Sequence, residues 1–128
     1  MAKMSNYLEN ALINCTLRGI PYTPPSVIYA ALFISDPTDA DTGTEVSGGG
    51  YTRKPVTFDT PDNGAAVNNA DLAFPVATGN WGTVTHIGLY DAETDGNLLF
   101  YGDLNTPRAI NIDNQLIILE GGLMVTLD

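Results

Sequence analysis

Two stretches of this chain carry apolar side chains on both faces of an extended backbone. In the first, residues 80–102, Thr83, Thr85, Ile87 and Leu89 alternate with Val84, His86, Gly88 and Tyr90. After the turn residues Asp95 and Gly96, residues 98–101 are again apolar on both sides. Asp-Gly supplies positive φ at little cost, so this is a hairpin. A strand without a wet face is buried on both faces, which places the hairpin at the centre of a layered β core. The second stretch, residues 26–35, reads Ser-Val-Ile-Tyr-Ala-Ala-Leu-Phe-Ile-Ser and is the other central strand. The predicted core is Ile28, Ala30, Leu32, Phe33, Ile87, Leu89, Leu99 and Phe100.

The remaining elements follow the same logic. Residues 5–18 have helical periodicity, with Leu8, Ala11, Leu12 and Cys15 on one stripe. Asn6 and Glu9 form an approximate capping box, Arg18 sits in the last turn, and Gly19 stops the helix. Ile13 and Leu17 lie on the opposite side of that stripe, so they are either wrapped by the following loop or are candidates for a subunit interface. Residues 21–25 hold three prolines and form a stiff link. Residues 36–50 make a long polar loop, and such loops inside compact domains carry function or motion. Residues 51–58 return as a strand anchored by Tyr51, Val56 and Phe58. Pro55 confines it to an edge or a bulge. Residues 60–69 read as a loop. Residues 70–76 form a short strand with Leu72, Phe74 and Val76 on one face, and Pro75 again argues for an edge. Residues 108–112, 115–119 and 123–127 close the chain as short strands, with turns at Asp113-Asn114 and Gly121-Gly122. The fold class is mainly β: a single antiparallel β-sandwich over residues 1–128, jelly-roll-like, with one N-terminal amphipathic helix and strands within residues 26–127.

Composition narrows the function. Fifteen acidic residues face five basic ones, giving a net charge of -10. No positive field is available to hold phosphates, which argues against nucleic acid or an anionic membrane as partner. The one cysteine excludes an internal disulfide. The amino terminus shows no apolar h-region or cleavage site, so no secretion signal is expected, and no apolar run reaches the length of a membrane span.

Catalytic hardware is sparse. His86, the only histidine, follows Thr85 in a central strand and reads as a core or half-buried side chain bonded to a hydroxyl or carbonyl. Cys15 on the helix stripe reads as a small hydrophobe. No nucleophile elbow, phosphate loop or metal-spaced Cys/His set is present. Asp36, Asp39, Asp41 and Glu45, with Gly43 among them, are the candidates for a divalent cation, since calcium takes several flexible oxygen ligands. They do not follow the helix-loop-helix calcium pattern, and the plainer reading is a solvated loop of local turns. No cofactor and no catalytic residue is expected.

Several stretches together resemble a known family. They are Ser-Asn-Tyr-Leu-Glu-Asn-Ala-Leu-Ile-Asn near the start, Tyr-Ala-Ala-Leu-Phe-Ile-Ser-Asp-Pro from Tyr29, and Gly-Thr-Glu-Val-Ser-Gly-Gly-Gly-Tyr from Gly43. Trp-Gly-Thr-Val-Thr-His-Ile-Gly-Leu-Tyr-Asp-Ala from Trp81, Gly-Asn-Leu-Leu-Phe-Tyr-Gly from Gly96 and the terminal Val-Thr-Leu-Asp complete the set. The chain resembles the small tailed-bacteriophage virion proteins commonly labelled tail fibre proteins. The resemblance spans nearly the whole chain and is least at residues 105–120. It implies a non-enzymatic structural part of the virion exterior, made in the host cytoplasm, whose partners are the major capsid protein or tail proteins. A fibre shaft needs repeats, a coiled coil or a long stalk, and this chain has none. A compact acidic β-domain suits a capsid decoration (cement) protein. The alternatives are a tail fibre or attachment protein, and a module binding a host surface glycan through Trp81, Tyr51, Tyr90 and Tyr101. Closed symmetry is the usual way to bury identical patches, and a homotrimer is the expected assembly.

Overall fold

The computed structural model describes residues 2–127. Nine strands and one helix follow in the order β1 (Ala2–Met4), α1 (Asn6–Arg18), β2 (Ile28–Phe33), β3 (Lys54–Val56), β4 (Ala65–Val67), β5 (Leu72–Ala73), β6 (Gly82–Tyr90), β7 (Leu98–Ile110), β8 (Ile117–Ile118) and β9 (Met124–Thr126). One antiparallel sheet has the order β1-β7-β6-β2-β3, with β6 and β2 inside it. The hairpin and the residue 28–33 strand therefore occupy the centre, as their two-sided apolar pattern requires. The β6–β7 turn has Asp95 at φ 55° and Gly96 at φ 76°.

Alternation along β2 divides the core in two. Ala30 and Leu32 point into the larger cluster with Ile87, Leu89, Trp81, Phe74 and Val84, between the layers. Ala31 and Phe33 point to the opposite face with Tyr90, Leu98 and Tyr101. Gly88 sits where that second cluster is tightest. A Cβ there would lie 2.9 Å from the Phe33 ring and 3.0 Å from Leu98. Of the predicted core, Ala30, Leu32, Phe33, Ile87, Leu89 and Leu99 are buried, while Ile28 and Phe100 are half-buried at its margin.

The second layer is an interrupted ribbon. Ala65 pairs with Thr126 and Val67 with Met124; further on, Leu72 pairs with Ile118 and Ala73 with Ile117. The two short pairings thus belong to one antiparallel run of 65–73 against 117–126, shifted by a residue. Asn68, fully buried, bridges the break. Its Nδ2 donates to the carbonyls of Ala70 (2.9 Å) and Leu119 (3.0 Å), and its Oδ1 accepts from Leu123 N (2.8 Å). A side-chain amide supplies there what the ladder lacks. Residues 57–59 flank this ribbon through Asn69 N to Thr57 O and Asp59 N to Val67 O. The chain leaving β3 therefore crosses from one layer to the other and closes that side of the sandwich.

The structure moves several boundaries. Ser5, not Asn6, caps the helix: its side chain accepts from Leu8 N at 3.2 Å. The helix stripe is not a buried face. Leu8 is the only buried residue of α1, Ala11 and Leu12 are half-buried, and Cys15 is exposed, so the hydrophobe role read for Cys15 is corrected. Residues 60–69 contain β4 rather than loop alone, and Ala2–Met4 pairs with Phe100–Gly102. Val76 is 49% exposed and leaves the face shared by Leu72 and Phe74. The separate strands read at 98–101 and 108–112 are one strand, β7, with residues 104–107 standing opposite Thr85 alone as a wide bulge. Pro55 does lie on an edge strand, since β3 ends the sheet.

Two core substitutions check this packing in denaturant melts. Ile87→Ala should cost about 2–5 kcal/mol through lost burial and a residual cavity. Asn68→Ala should cost about 1–3 kcal/mol, because three part-buried backbone groups lose their side-chain partner at once. An unchanged unfolding midpoint in either variant would contradict the placement.

Candidate functional site

The acidic loop after β2 is held down by tyrosines. Its Asp39 accepts a hydrogen bond from the Tyr101 hydroxyl of β7. Asp41 Oδ1 accepts from the Tyr90 hydroxyl of β6 at 2.6 Å. Glu45 Oε2 accepts from the Tyr51 hydroxyl at 2.6 Å, and that same hydroxyl accepts from Leu32 N at 2.9 Å. Asp36 turns back on the loop and accepts from Thr38 N. The four candidate carboxylates therefore spread over separate partners. Among the described residues no three metal-ligating side chains converge. The plainer reading, a solvated loop of local turns, describes the exposed Asp36, Asp39 and Asp41, the last two also accepting from tyrosine hydroxyls, whereas Glu45 is half-buried and ion-paired.

Arg53 gathers this arrangement. It is 8% exposed. Its Nε donates to Glu45 Oε2 and its NH2 to Glu45 Oε1, both at 2.9 Å, the bidentate geometry that suits a guanidinium. Its NH1 donates to the carbonyls of Ala92 (2.9 Å) and Asp95 (2.8 Å) in the β6–β7 turn. The guanidinium carbon lies 3.8 Å from the centre of the Tyr90 ring, a cation–π contact. One side chain thus ties the acidic loop, the turn and the central hairpin together.

The environment shifts the titrating groups accordingly. Burial first, then the hydrogen bond to Glu45, pushes the Tyr51 hydroxyl far above its ordinary value. Burial and Asp41 do the same for Tyr90, and burial and Asp39 for Tyr101. Burial works against the charge of Arg53, and the Glu45 hydrogen bonds and charge outweigh it, so the guanidinium is held more firmly protonated.

The other sequence candidates fall elsewhere. His86 is half-buried and its Nδ1 shares a 2.8 Å hydrogen bond with Thr85 Oγ1. The aromatic residues considered for glycan stacking face inward: Trp81, Tyr90 and Tyr101 are buried and Tyr51 is half-buried. Trp81 donates to Gly49 O at 2.8 Å and packs edge-on against Tyr51. Ile13 and Leu17 lie on α1 at 53% and 79% exposure, and Ile20 beyond the helix is also exposed. α1 is anchored at its start, where Ser5 N donates to Leu99 O, Ser5 Oγ donates to Leu98 O and Asn6 N donates to Asp39 O. Beyond that first turn its apolar side chains have little to pack on. Among the described residues no helix is long and apolar enough to cross a membrane.

The tyrosine–carboxylate pairs set the alkaline limit of the fold. An acid whose folded pKa is raised stays protonated in the native state while the unfolded chain releases its proton. Its stabilisation is whole below the unfolded value of about 10 and is lost as pH rises above it. Phenolate absorbance of Tyr51, Tyr90 and Tyr101 should therefore appear only together with loss of tertiary circular dichroism, and not ahead of it. Arg53→Met should cost about 3–5 kcal/mol, since it leaves Glu45 without its counter-ion and two carbonyls without their donor. Pairing it with Glu45→Met should cost less than the two single changes added, in a double-mutant cycle.

No curated protein matches the chain. Residues 3–126, nearly its full length, match the family described as podophage GP4 fiber I protein gp80, and the chain belongs to that family of phage fibre proteins.

Proposed function

We propose that this chain is a non-enzymatic building unit on the outside of a phage particle, joined to copies of itself through α1 as a homotrimer. The observation that carries the reading is the family match across residues 3–126, which supports a structural virion component of the fibre type. The helix supports the assembly. A helix of thirteen residues is marginal alone in water. With Leu8 as its only buried side chain, it needs a second surface over Ile13 and Leu17. Symmetric packing of three such helices would give each the cover it lacks.

A second reading, capsid decoration, draws on a different observation. The described residues form a compact sandwich without the repeats or stalk of a shaft. Such a unit serves equally as a knob in a fibre or as a cap on a shell. Its partners would be tail proteins in the first case and the major capsid protein in the second. Synthesis in the host cytoplasm fits both. A glycan-binding role has less support, since the aromatic rings that it would use are in the core.

Sedimentation of the purified protein should show a trimer. Leu17→Glu, at a site 79% exposed, should dissociate it while leaving thermal unfolding of the monomer nearly unchanged. Cryo-imaging of particles with this protein labelled then separates the locations. Density at the tail assigns the fibre role, density over the shell assigns decoration, and an undissociated Leu17→Glu trimer would remove α1 from the interface.

A further inference from the structure

The sandwich is closed at one side and open at the other. On the closed side the chain leaving β3 crosses between the layers. On the other side, β1 covers β7 only at Phe100–Gly102. Past Gly102, the outer edge of β7 has no backbone partner among the described residues. Across from it, the ladder of residues 116–127 runs to residues 64–74, and among the described residues its far edge makes no backbone hydrogen bond, with β1 packed beside β9 at one end. Between these rims lies a cleft of about 720 Å³, lined by Ile87, Leu89, Phe100, Leu116, Ile118 and Val125 among others. A second apolar space of about 520 Å³ shares Leu89, Phe100 and Val125 with it. Ile117 and Met124, on the rim, are each about half exposed.

We infer that this cleft receives an extended segment of another polypeptide, with alternating apolar side chains and basic flanks, which lies end to end with β1 along β7. The shape and the lining point to a strand. The slot continues the line of β1, is bounded by strand edges and is apolar within, the setting in which a guest strand adds to a sheet. A second copy is disfavoured as donor, because every long β-forming apolar run of this chain is already placed in its own sheets. The lining is itself neutral, with Asp103 offsetting Arg108, so an apolar guest suits the cleft, and the net charge of -10 on the chain around it favours basic flanks. Pro107 and the bulge at 104–107 interrupt the β7 rim, so the guest is held chiefly by side chains in the cleft and the edge does not template open-ended pairing. That the guest belongs to a neighbouring virion protein rests on the proposed function; the cleft's preference does not.

The test uses the purified full chain and labelled synthetic peptides. The first alternates valine with lysine and threonine, the second replaces lysine by glutamate, and the third has the first one's composition with its valines consecutive. The first should bind, with amide shifts confined to residues 103–110 and 115–126, and the other two should bind at least about ten-fold more weakly. Met124→Glu and Ile117→Glu, both on the rim, should each lower binding of the first by about ten-fold or more with unchanged thermal unfolding. Leu17→Glu on the helix should leave it unchanged. No binding of the first peptide, equal binding of the isomer with consecutive valines, or shifts mapping to α1 would overturn the inference. So would self-association that Met124→Glu abolishes, since the cleft would then belong to a second copy. None of these results bears on the location of the protein in the particle, which imaging decides separately.

Discussion

The Arg53–Glu45 pair is the constraint on which the arrangement of the outer face depends. Burying a guanidinium is expensive unless its N–H groups find acceptors. Here four of the five do, two on Glu45 and one each on the carbonyls of Ala92 and Asp95. Meeting that requirement fixes three separate segments. Glu45 must stand opposite Phe33, where it bridges to the end of β2. The β6–β7 turn must present two carbonyls inward. The ring of Tyr90 must lie under the cation. With these fixed, the hydroxyl of Tyr90 reaches Asp41 and that of Tyr101 reaches Asp39, and the long loop is laid across Phe33 and its neighbours. The loop therefore serves as the second cover of a sheet that is apolar on both faces.

This explains which parts of the fold can be read along the chain. Residues 28–33 and 82–90 declare themselves, because two-sided apolar alternation permits only a central strand. Asp95-Gly96 declares its turn because the backbone there needs positive φ twice in succession. The carboxylate partners do not declare themselves. Asp39 and Tyr101 are 62 residues apart and Asp41 and Tyr90 are 49 apart, with no local pattern joining them. A signal was present in composition: acidic residues spaced through one loop, and tyrosines on the faces of central strands. Cys15 misleads for a different reason. Helical periodicity shows which residues share a face, and it does not show how much of the helix rests on anything. α1 meets the sheet through its first turn, so its stripe is buried at Leu8, half-buried at Ala11 and Leu12, and exposed at Cys15. β1 and β4 were missed because three-residue strands owe their existence to a neighbour's edge rather than to their own sequence.

The same physics separates the rigid part of the molecule from the parts that await contact. The central sheet is satisfied on both faces, and no buried side-chain polar atom lacks a partner among the described residues. Apolar surface remains exposed on α1 and beside the cleft, and also at Val76 and Ile112. α1 begins on the face covered by the acidic loop and carries Ile13 and Leu17 into solvent. The cleft opens from the other face, between β7 and the ribbon. The patches on α1 and in the cleft lie on opposite faces of one sheet, so a two-fold contact, which pairs a patch with itself, covers one and leaves the other.

Edge chemistry decides how such contacts stop. Open strand edges recruit further strands without limit unless something interrupts the ladder. β3 ends the large sheet at one side and carries Pro55, whose nitrogen has no hydrogen to offer. At the other side the 104–107 bulge, with Pro107 in it, breaks the register of β7. The ribbon is broken in turn at Asn68, which spends its amide on its own strand partner. Each exposed edge is thus short or irregular, and extended pairing from copy to copy has no continuous template. Contacts made by apolar side chains, through a helix or within a cleft of fixed volume, saturate after one partner. That difference separates closed assembly from aggregation.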